Sequence, residues 1–142
     1  MTDTLEAQAP ALPKTKGTVV PYLTVDGASK AAAFYIKAFG AEEAFRYPED
    51  ENGRTMHIHL YINGGSVMLS DGYPEQGHPA LPPQGFQVQL ILESGIEALF
   101  QRALDAGAEV VTPVQKMFWG DTWGQVRDPF GVTWGMNQTA QA

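Results

Sequence analysis

The clearest pattern in the chain is a strict alternation of apolar and polar side chains over residues 55–62. Alternate side chains of an extended strand point to opposite faces, so this segment is predicted to be a half-buried strand. The Asn63-Gly64-Gly65 sequence that follows predicts a tight hairpin and a returning strand over residues 66–71. One face carries Met56, Ile58, Leu60 and Ile62, and the other carries His57, His59 and Tyr61.

The same order of elements is predicted twice along the chain. Apolar residues recur at helical spacing over residues 29–39 and 96–106, and Gly40 and Gly107 end these two helices. Each half reads β-α-β-β-β over about 50 residues, which indicates an internal duplication. The predicted strands cover residues 18–25, 41–47, 55–62 and 66–71 in the first half, and 86–93, 108–115, 125–127 and 132–136 in the second.

The segments around the two halves have a different composition. Residues 72–85 contain four prolines and predict a linker or a loop over a site. Residues 1–16 are rich in Ala, Pro and Thr without any period, and we expect them to form a flexible tail. We therefore predict a single domain over residues 17–137, followed by a short tail at residues 138–142.

Composition narrows the expected partners. The net charge is −7 and no cluster of Lys and Arg occurs, which argues against binding to nucleic acid or to an anionic membrane. The absence of cysteine excludes a thiolate ligand and a cysteine nucleophile. Neither a secretory leader nor an apolar run of about 20 residues is visible, so a cytoplasmic protein is expected.

Residues 117–134 combine glycines with large aromatic side chains. The Asp128-Pro129-Phe130-Gly131 sequence predicts a chain reversal, because proline fixes φ and glycine tolerates a positive φ. Glycine also lets the backbone approach a ligand closely, so Trp119, Asp121 and Trp123 are candidates for the rim of a pocket. The alternative is that the aromatic residues fill the core of a hairpin.

Several short segments carry a family resemblance through their order and spacing. They are Pro21-Tyr22-Leu23-Thr24-Val25, Ala33-Phe34-Tyr35, Phe39-Gly40-Ala41, Val67-Met68-Leu69-Ser70-Asp71, Trp119-Gly120-Asp121, Asp128-Pro129-Phe130-Gly131 and Trp134. Together they resemble the vicinal oxygen chelate superfamily, which includes glyoxalase I, bleomycin-resistance proteins and extradiol dioxygenases, and most specifically its PhnB-like branch.

The resemblance implies an α+β fold of two βαβββ modules, at about residues 18–71 and 86–136. Their sheets would curl into a cupped, incomplete eight-stranded barrel with the helices on the convex face. A ligand would lie in the concave cavity. The resemblance also implies a homodimer, with cavities often near the interface.

The resemblance further implies where a metal would bind. Catalytic members of the superfamily hold a divalent metal with His or Glu from four strands. Neither the equivalent positions nor their neighbours provide a suitable set of ligands, so we expect the usual metal site to be absent and predict no cofactor. The four positions fall at or next to Val20, Leu69, Gln87 and Gly135.

A rearranged metal site is the alternative. His57 and His59 are two residues apart on one strand face, about 6.6–6.8 Å along the backbone, which is a workable spacing for zinc. Asp71 could add a carboxylate to a divalent metal held there.

Without a metal, alternation predicts a polar but mostly neutral cavity. The apolar positions Phe86, Val88, Leu90 and Leu92 are expected to pack on a helix, like those of residues 55–62. His57, His59 and Asp121 are candidate acids or bases if burial shifts their pKa values. The predicted ligand-binding residues are Tyr22, His57, His59, Tyr61, Gln87, Gln89, Trp119, Asp121 and Trp123.

Three functions remain open at this point. The first is binding of a small aromatic or polar molecule without the usual metal site. The second is a metal-dependent lyase or dioxygenase with a rearranged site around His57 and His59. The third is a dimeric interaction or regulatory protein with a vestigial cavity. PhnB-like proteins also carry a methyltransferase label, but no cofactor-binding fingerprint supports that activity here.

Overall fold

The computed structural model describes residues 12–140 of the chain. These residues form eight strands, two α-helices and one short 3₁₀ turn. The elements are β1 (Tyr22–Val25), α1 (Ala28–Phe39), β2 (Glu42–Arg46), β3 (Ile58–Ile62), β4 (Gly65–Asp71), the 3₁₀ turn Pro74–Gln76, β5 (Val88–Leu92), α2 (Ile96–Ala106), β6 (Glu109–Lys116), β7 (Thr122–Arg127) and β8 (Thr133–Gln138).

The two halves build two four-stranded sheets with matching topology. The first sheet has the order β1-β4-β3-β2 and the second has the order β5-β8-β7-β6. In each sheet the first strand pairs in parallel with the last, and the other pairs are antiparallel. The predicted hairpin joins β3 to β4 through Asn63 and Gly64, whose φ values of 51° and 81° are those of a type I′ turn. This topology confirms the predicted pair of βαβββ modules. The two sheets do not close into a barrel, which agrees with the predicted cupped, incomplete one.

The two modules meet through their helices. Each helix packs on the sheet of its own module, and α1 also packs against α2. Tyr35 and Phe39 of α1 contact Trp134 of the second sheet, with ring centroids 5.0 and 4.7 Å apart. The buried apolar residues of both modules therefore form one core on the helix side, and the opposite, polar face of each sheet is left for ligands or partners.

Strands β1, β3 and β5 each begin at least two residues later than predicted, and in β3 and β5 this displaces an apolar side chain. The β3 pairing begins at Ile58 and the β5 pairing at Val88, so alternation does not govern the residues before them. The expectation that Met56 and Phe86 pack beneath a helix is wrong, because these side chains are 61% and 52% exposed. Both instead line cavities on the surface.

Residues 12–16 lie against the first sheet. The backbone of Lys16 exchanges hydrogen bonds with Ser66, and the Tyr61 hydroxyl donates to the carbonyl oxygen of Lys14 at 2.7 Å. The rest of the predicted flexible tail, residues 1–11, lies outside the described residues. At the other end β8 runs to Gln138, the first residue of the predicted C-terminal tail.

No helix within residues 12–140 has the length and apolar character needed to cross a membrane.

Candidate functional site

A cavity of about 400 Å³ lies on the polar face of the first sheet. The sheet supplies aromatic, methionine and imidazole side chains, and the segment before β1 covers one side. The lining residues are Phe45, Tyr47, Met56, His57, His59 and Met68 from the sheet and its approaches, and Leu12, Pro13 and Thr15 from that segment. Two predicted site residues, His57 and His59, therefore lie side by side as expected.

Each histidine uses one ring nitrogen within the protein. His57 Nδ1 lies 2.9 Å from the Tyr22 hydroxyl, and His59 Nε2 lies 2.7 Å from the Ser66 hydroxyl. The other ring nitrogens, Nε2 of His57 and Nδ1 of His59, have no hydrogen-bond partner among the described residues. Each histidine therefore keeps one nitrogen available to a ligand.

Both imidazoles are neutral at physiological pH. Burial lowers the pKa of the His57 imidazole below its ordinary value. Burial also lowers the pKa of His59, and the neighbouring His57 adds to this because two like charges would repel. Within residues 12–140, no Asp, Glu, Lys or Arg side chain lines the cavity. The polar groups in its wall are consequently uncharged.

Aromatic rings form one wall of the cavity. Phe45 and Tyr47 make an edge-to-face pair with centroids 5.1 Å apart. The His57 ring lies 6.5 and 6.3 Å from these two rings and 5.6 Å from the ring of Tyr22. Such a wall, completed by the adaptable side chains of Met56 and Met68, suits a flat apolar ligand.

Tyr61, another predicted site residue, is occupied by the N-terminal segment. Its hydroxyl donates to the carbonyl of Lys14, and the Lys16 ammonium lies 4.1 Å from the centroid of its ring. The ring also makes an edge contact with His59, at 4.9 Å between centroids. Tyr61 therefore supports the position of residues 14–16 and of His59, and it does not line the cavity.

The predicted glutamines lie on the polar face of the second sheet. Gln125 donates to the Gln87 side-chain oxygen at 2.7 Å and accepts from the Thr112 hydroxyl at 2.8 Å. The Trp123 indole donates to Gln89 at 3.3 Å. These side chains form a hydrogen-bonded layer of neutral amides.

This amide layer fills the space above Gly135. A Cβ added to Gly135 would lie 2.5 Å from Oε1 of Gln87 and 2.8 Å from Oε1 of Gln89. Both distances are far shorter than a van der Waals contact, so the two glutamines occupy the position that a side chain at residue 135 would take.

Asp121 and Trp119 have different surroundings from those predicted. The Asp121 carboxylate accepts hydrogen bonds from the Asn137 side chain and from the backbone N–H of Ala140, both at 2.9 Å. The hydrogen bond from Asn137, followed by that from Ala140, lowers the pKa of Asp121, which makes it a poor general base near neutral pH. Trp119 is 51% exposed and packs edge-on against Phe118, which is 95% exposed.

The predicted site residues thus fall into two groups on two different sheets. Tyr22, His57 and His59 belong to the first sheet, and the amide layer with Trp123 belongs to the second. Within residues 12–140, no hydrogen bond or ring contact joins one group to the other. The expectation of a single cavity lined by all of them is wrong for one chain, because the modules meet through their helices.

The positions that would hold the superfamily's metal do not fit a cation. Leu69 is fully buried on the helix side of the first sheet, and Val20 is apolar. Gly135 has no side chain, and the Gln87 oxygen already accepts from Gln125. A divalent ion needs several oxygen or nitrogen ligands that converge, and these residues offer none.

The rearranged site lacks its third ligand. Asp71 accepts hydrogen bonds from the backbone N–H groups of Gly27 and Ala28 at the start of α1, and from Thr55 N–H. Met68 is the register partner of His59 and shares its face of the sheet. Asp71 is three residues after Met68 in β4, so its side chain lies on the opposite face. The expectation that Asp71 joins His57 and His59 is therefore wrong. Within the described part of the chain, no three His, Asp or Glu side chains lie close enough to hold a metal.

Sequence reasoning missed several residues of the cavity. Phe45 and Tyr47 are two positions apart in and just after β2, and this spacing could have placed them on one face. Met68 is the register partner of His59, which only the hairpin alignment reveals. Leu12 and Pro13 gave no signal, because they lie in the segment predicted to be a flexible tail.

Comparison with known proteins agrees with this fold. The sequence model of the Glyoxalase/Bleomycin resistance protein/Dioxygenase superfamily matches residues 17–136. An uncharacterized protein of Mycobacterium bovis is 44% identical over 123 residues, which cover 83% of this chain and 80% of that protein. The chain therefore belongs to the Glyoxalase/Bleomycin resistance protein/Dioxygenase superfamily.

Solved structures show the same likeness. The crystal structure of TioX from Micromonospora sp. ML1 is 28% identical, with a TM-score of 0.67 over 89% of this chain and 98% of that chain. A PhnB protein from Bacillus cereus has a TM-score of 0.68 over 87% of this chain and 100% of that chain, at 22% identity. This PhnB structure agrees in fold with the PhnB-like branch that the sequence resembles.

Proposed function

We propose that this protein binds a neutral, largely aromatic small molecule in the cavity around His57 and His59, without the superfamily's usual metal site. The observation that carries the proposal is the chemistry of the cavity wall. Aromatic and other apolar side chains make most of it, and its polar side chains, including the two imidazoles, are uncharged.

The size of the cavity supports a ligand of this class. A volume of about 400 Å³ lies within the range of sites that bind drug-sized molecules. The edge-to-face pair of Phe45 and Tyr47 offers ring surfaces against which a planar ligand can stack. A charged ligand would lose its hydration without gaining an opposite charge from the wall, which is costly.

The two imidazoles give the cavity its specificity. Nε2 of His57 and Nδ1 of His59 have no partner among the residues that the structure describes, so each can donate to or accept from a ligand according to its tautomer. A hydroxyl, carbonyl or amide on the edge of an aromatic ring would satisfy them. Binding would then be oriented by two hydrogen bonds and strengthened by apolar burial.

We propose further that the protein acts as a homodimer that covers this open face. The superfamily resemblance supports a homodimer with cavities near its interface. The exposed pair Phe118 and Trp119 supports an additional surface contact, because large aromatic side chains are enriched where proteins associate.

The proposed function is tested by fluorescence titration with methylumbelliferone methyl ether, a neutral planar coumarin. We expect saturable binding at one site per chain, and weakening of about tenfold or more in Phe45→Ala, which removes a wall of the cavity. Ile36→Ala is the matched control, because Ile36 is an exposed residue of α1 that does not line the cavity. Absence of saturable binding, or equal loss in both variants, would contradict the proposal.

A further inference from the structure

A second cavity adjoins the first on the same sheet face. Its volume is about 340 Å³, and it lies between β1, β4 and the turn after β4. Met56 lines both cavities, and the Tyr22 hydroxyl in the wall of the second lies 2.9 Å from Nδ1 of His57 in the wall of the first, so the two spaces meet at these side chains. Met56 is 61% exposed and its unbranched side chain can move, which leaves a path from one cavity to the other.

The wall of the second cavity differs in chemistry from that of the first. Thr24 and Ser70 are register partners in the parallel β1–β4 pair, so their hydroxyls project side by side from one face. Neither hydroxyl has a hydrogen-bond partner among the described residues. The turn adds the amide of Gln76 and the ring of His78. These groups offer donors and acceptors that the fold itself does not use.

Among residues 12–140, Asp71 is the only carboxylate that borders this second cavity, and it is already satisfied. Both oxygens of Asp71 accept backbone N–H groups, from Gly27, Ala28 and Thr55. No lysine or arginine side chain from the described part of the chain lines the cavity. An uncharged group rich in hydroxyls matches this wall better than an ammonium, a carboxylate or a phosphate would.

We infer that the second cavity is a polar subsite of the same binding site. The ligand class is then a neutral aromatic group joined to a hydroxylated substituent. The aromatic part occupies the cavity around His57 and His59, and the substituent bonds to Thr24 and Ser70. This inference rests on the proposed function, because it extends the same ligand past Tyr22 and Met56.

The test compares two fluorescent probes that share one aromatic group. Methylumbelliferyl glucoside carries a sugar, and methylumbelliferone methyl ether carries a methyl group at the same oxygen. We expect the glucoside to bind about tenfold more tightly, since two or more net hydrogen bonds are worth this factor. In the double variant Thr24→Val and Ser70→Ala this advantage should disappear, while the affinity for the methyl ether stays unchanged.

Thr112→Val is the matched control, because this hydroxyl belongs to the amide layer of the second sheet and should leave both affinities unchanged. Thermal unfolding of each variant establishes that it is folded. Equal binding of the two probes to the wild-type protein, or an advantage that survives in the double variant, would overturn the subsite and leave the proposed function intact. Failure of both probes to bind would overturn both.

Discussion

The phenol of Tyr35 in α1 donates a hydrogen bond to the buried carboxylate of Asp128, in the turn between β7 and β8. The same carboxylate accepts from the indole N–H of Trp134 and from the backbone N–H groups of Phe130 and Val132. A single side chain thus closes the last hairpin and ties it to the helix of the other module. This contact contributes to the packing that leaves the two polar sheet faces open.

Replacing Asp128 with Ala should destabilise the protein by about 3 kcal/mol, because four donors, three of them in buried hydrogen bonds, lose their acceptor. Tyr35→Phe removes only one of the four hydrogen bonds and should cost about 1.5 kcal/mol. Urea denaturation followed by tryptophan fluorescence measures both. A loss in Asp128→Ala no larger than that in Tyr35→Phe would contradict this role for the carboxylate.

Alkaline pH should destabilise the wild-type protein through Tyr35. Burial, together with the neighbouring Asp128, raises the pKa of Tyr35 above its ordinary value near 10. Above that pH the unfolded chain releases a proton that the folded chain retains. The free energy of unfolding should therefore fall by up to about 1.4 kcal/mol per pH unit from this residue.

The control for this pH dependence is Tyr35→Phe, which should show a shallower decline above pH 10. The comparison separates Tyr35 from Tyr73, whose pKa is also raised by burial and which is present in both proteins. Parallel pH profiles for the wild type and the variant would show that Tyr35 does not retain its proton as described.

Asp71→Ala separates the two roles considered for this carboxylate. As the acceptor for the first N–H groups of α1, it should stabilise the protein by about 1–2 kcal/mol, a typical value for a helix N-terminal cap. Thermal unfolding with and without added zinc measures this loss, and Asp26→Ala provides an exposed control beside it. If zinc stabilised the wild-type protein but not the Asp71→Ala variant, the result would favour Asp71 as a metal ligand.

Gly135→Ala tests the amide layer on the second sheet. In the wild type the new Cβ meets the oxygens of Gln87 and Gln89, so the change should cost about 1 kcal/mol as they are displaced. In a Gln87→Ala and Gln89→Ala background the space is empty. The same substitution should then stabilise the strand by about 0.5 kcal/mol, because alanine loses less backbone freedom than glycine.

This double-mutant cycle needs only equilibrium unfolding in denaturant. An effect of Gly135→Ala that is equal in both backgrounds would show that the glutamines do not fill the position of the missing side chain.

The parts of the fold that sequence predicted well are those set by local patterns. The helix predicted over residues 96–106 is α2 at Ile96–Ala106, because its apolar spacing and Gly107 act within the segment. The turn at Asn63 and Gly64 also depends on local backbone preferences. The family resemblance supplied the cupped arrangement, which no single segment contains.

The site was predicted only in part, because its composition depends on long-range packing. Alternation placed His57 and His59 on one face, but it does not determine what lies opposite them. Gln87 lies on the second sheet, away from the two histidines, because the modules meet through contacts between their helices. One of these contacts is the Arg102 hydrogen bond to the carbonyl of Lys37. The cover formed by residues 12–16 follows from hydrogen bonds to Ser66 and Tyr61, which are distant in sequence.

The function proposed for the His57 and His59 cavity is binding of a neutral aromatic ligand without a metal. The most direct test is calorimetric titration of methylumbelliferone methyl ether into protein that has been treated with a chelator. Elemental analysis of the same sample determines its metal content. We predict saturable binding to metal-free protein, with an affinity that added zinc does not change. Binding that appears only after zinc is added back, and that increases with the amount of zinc bound, would contradict this function.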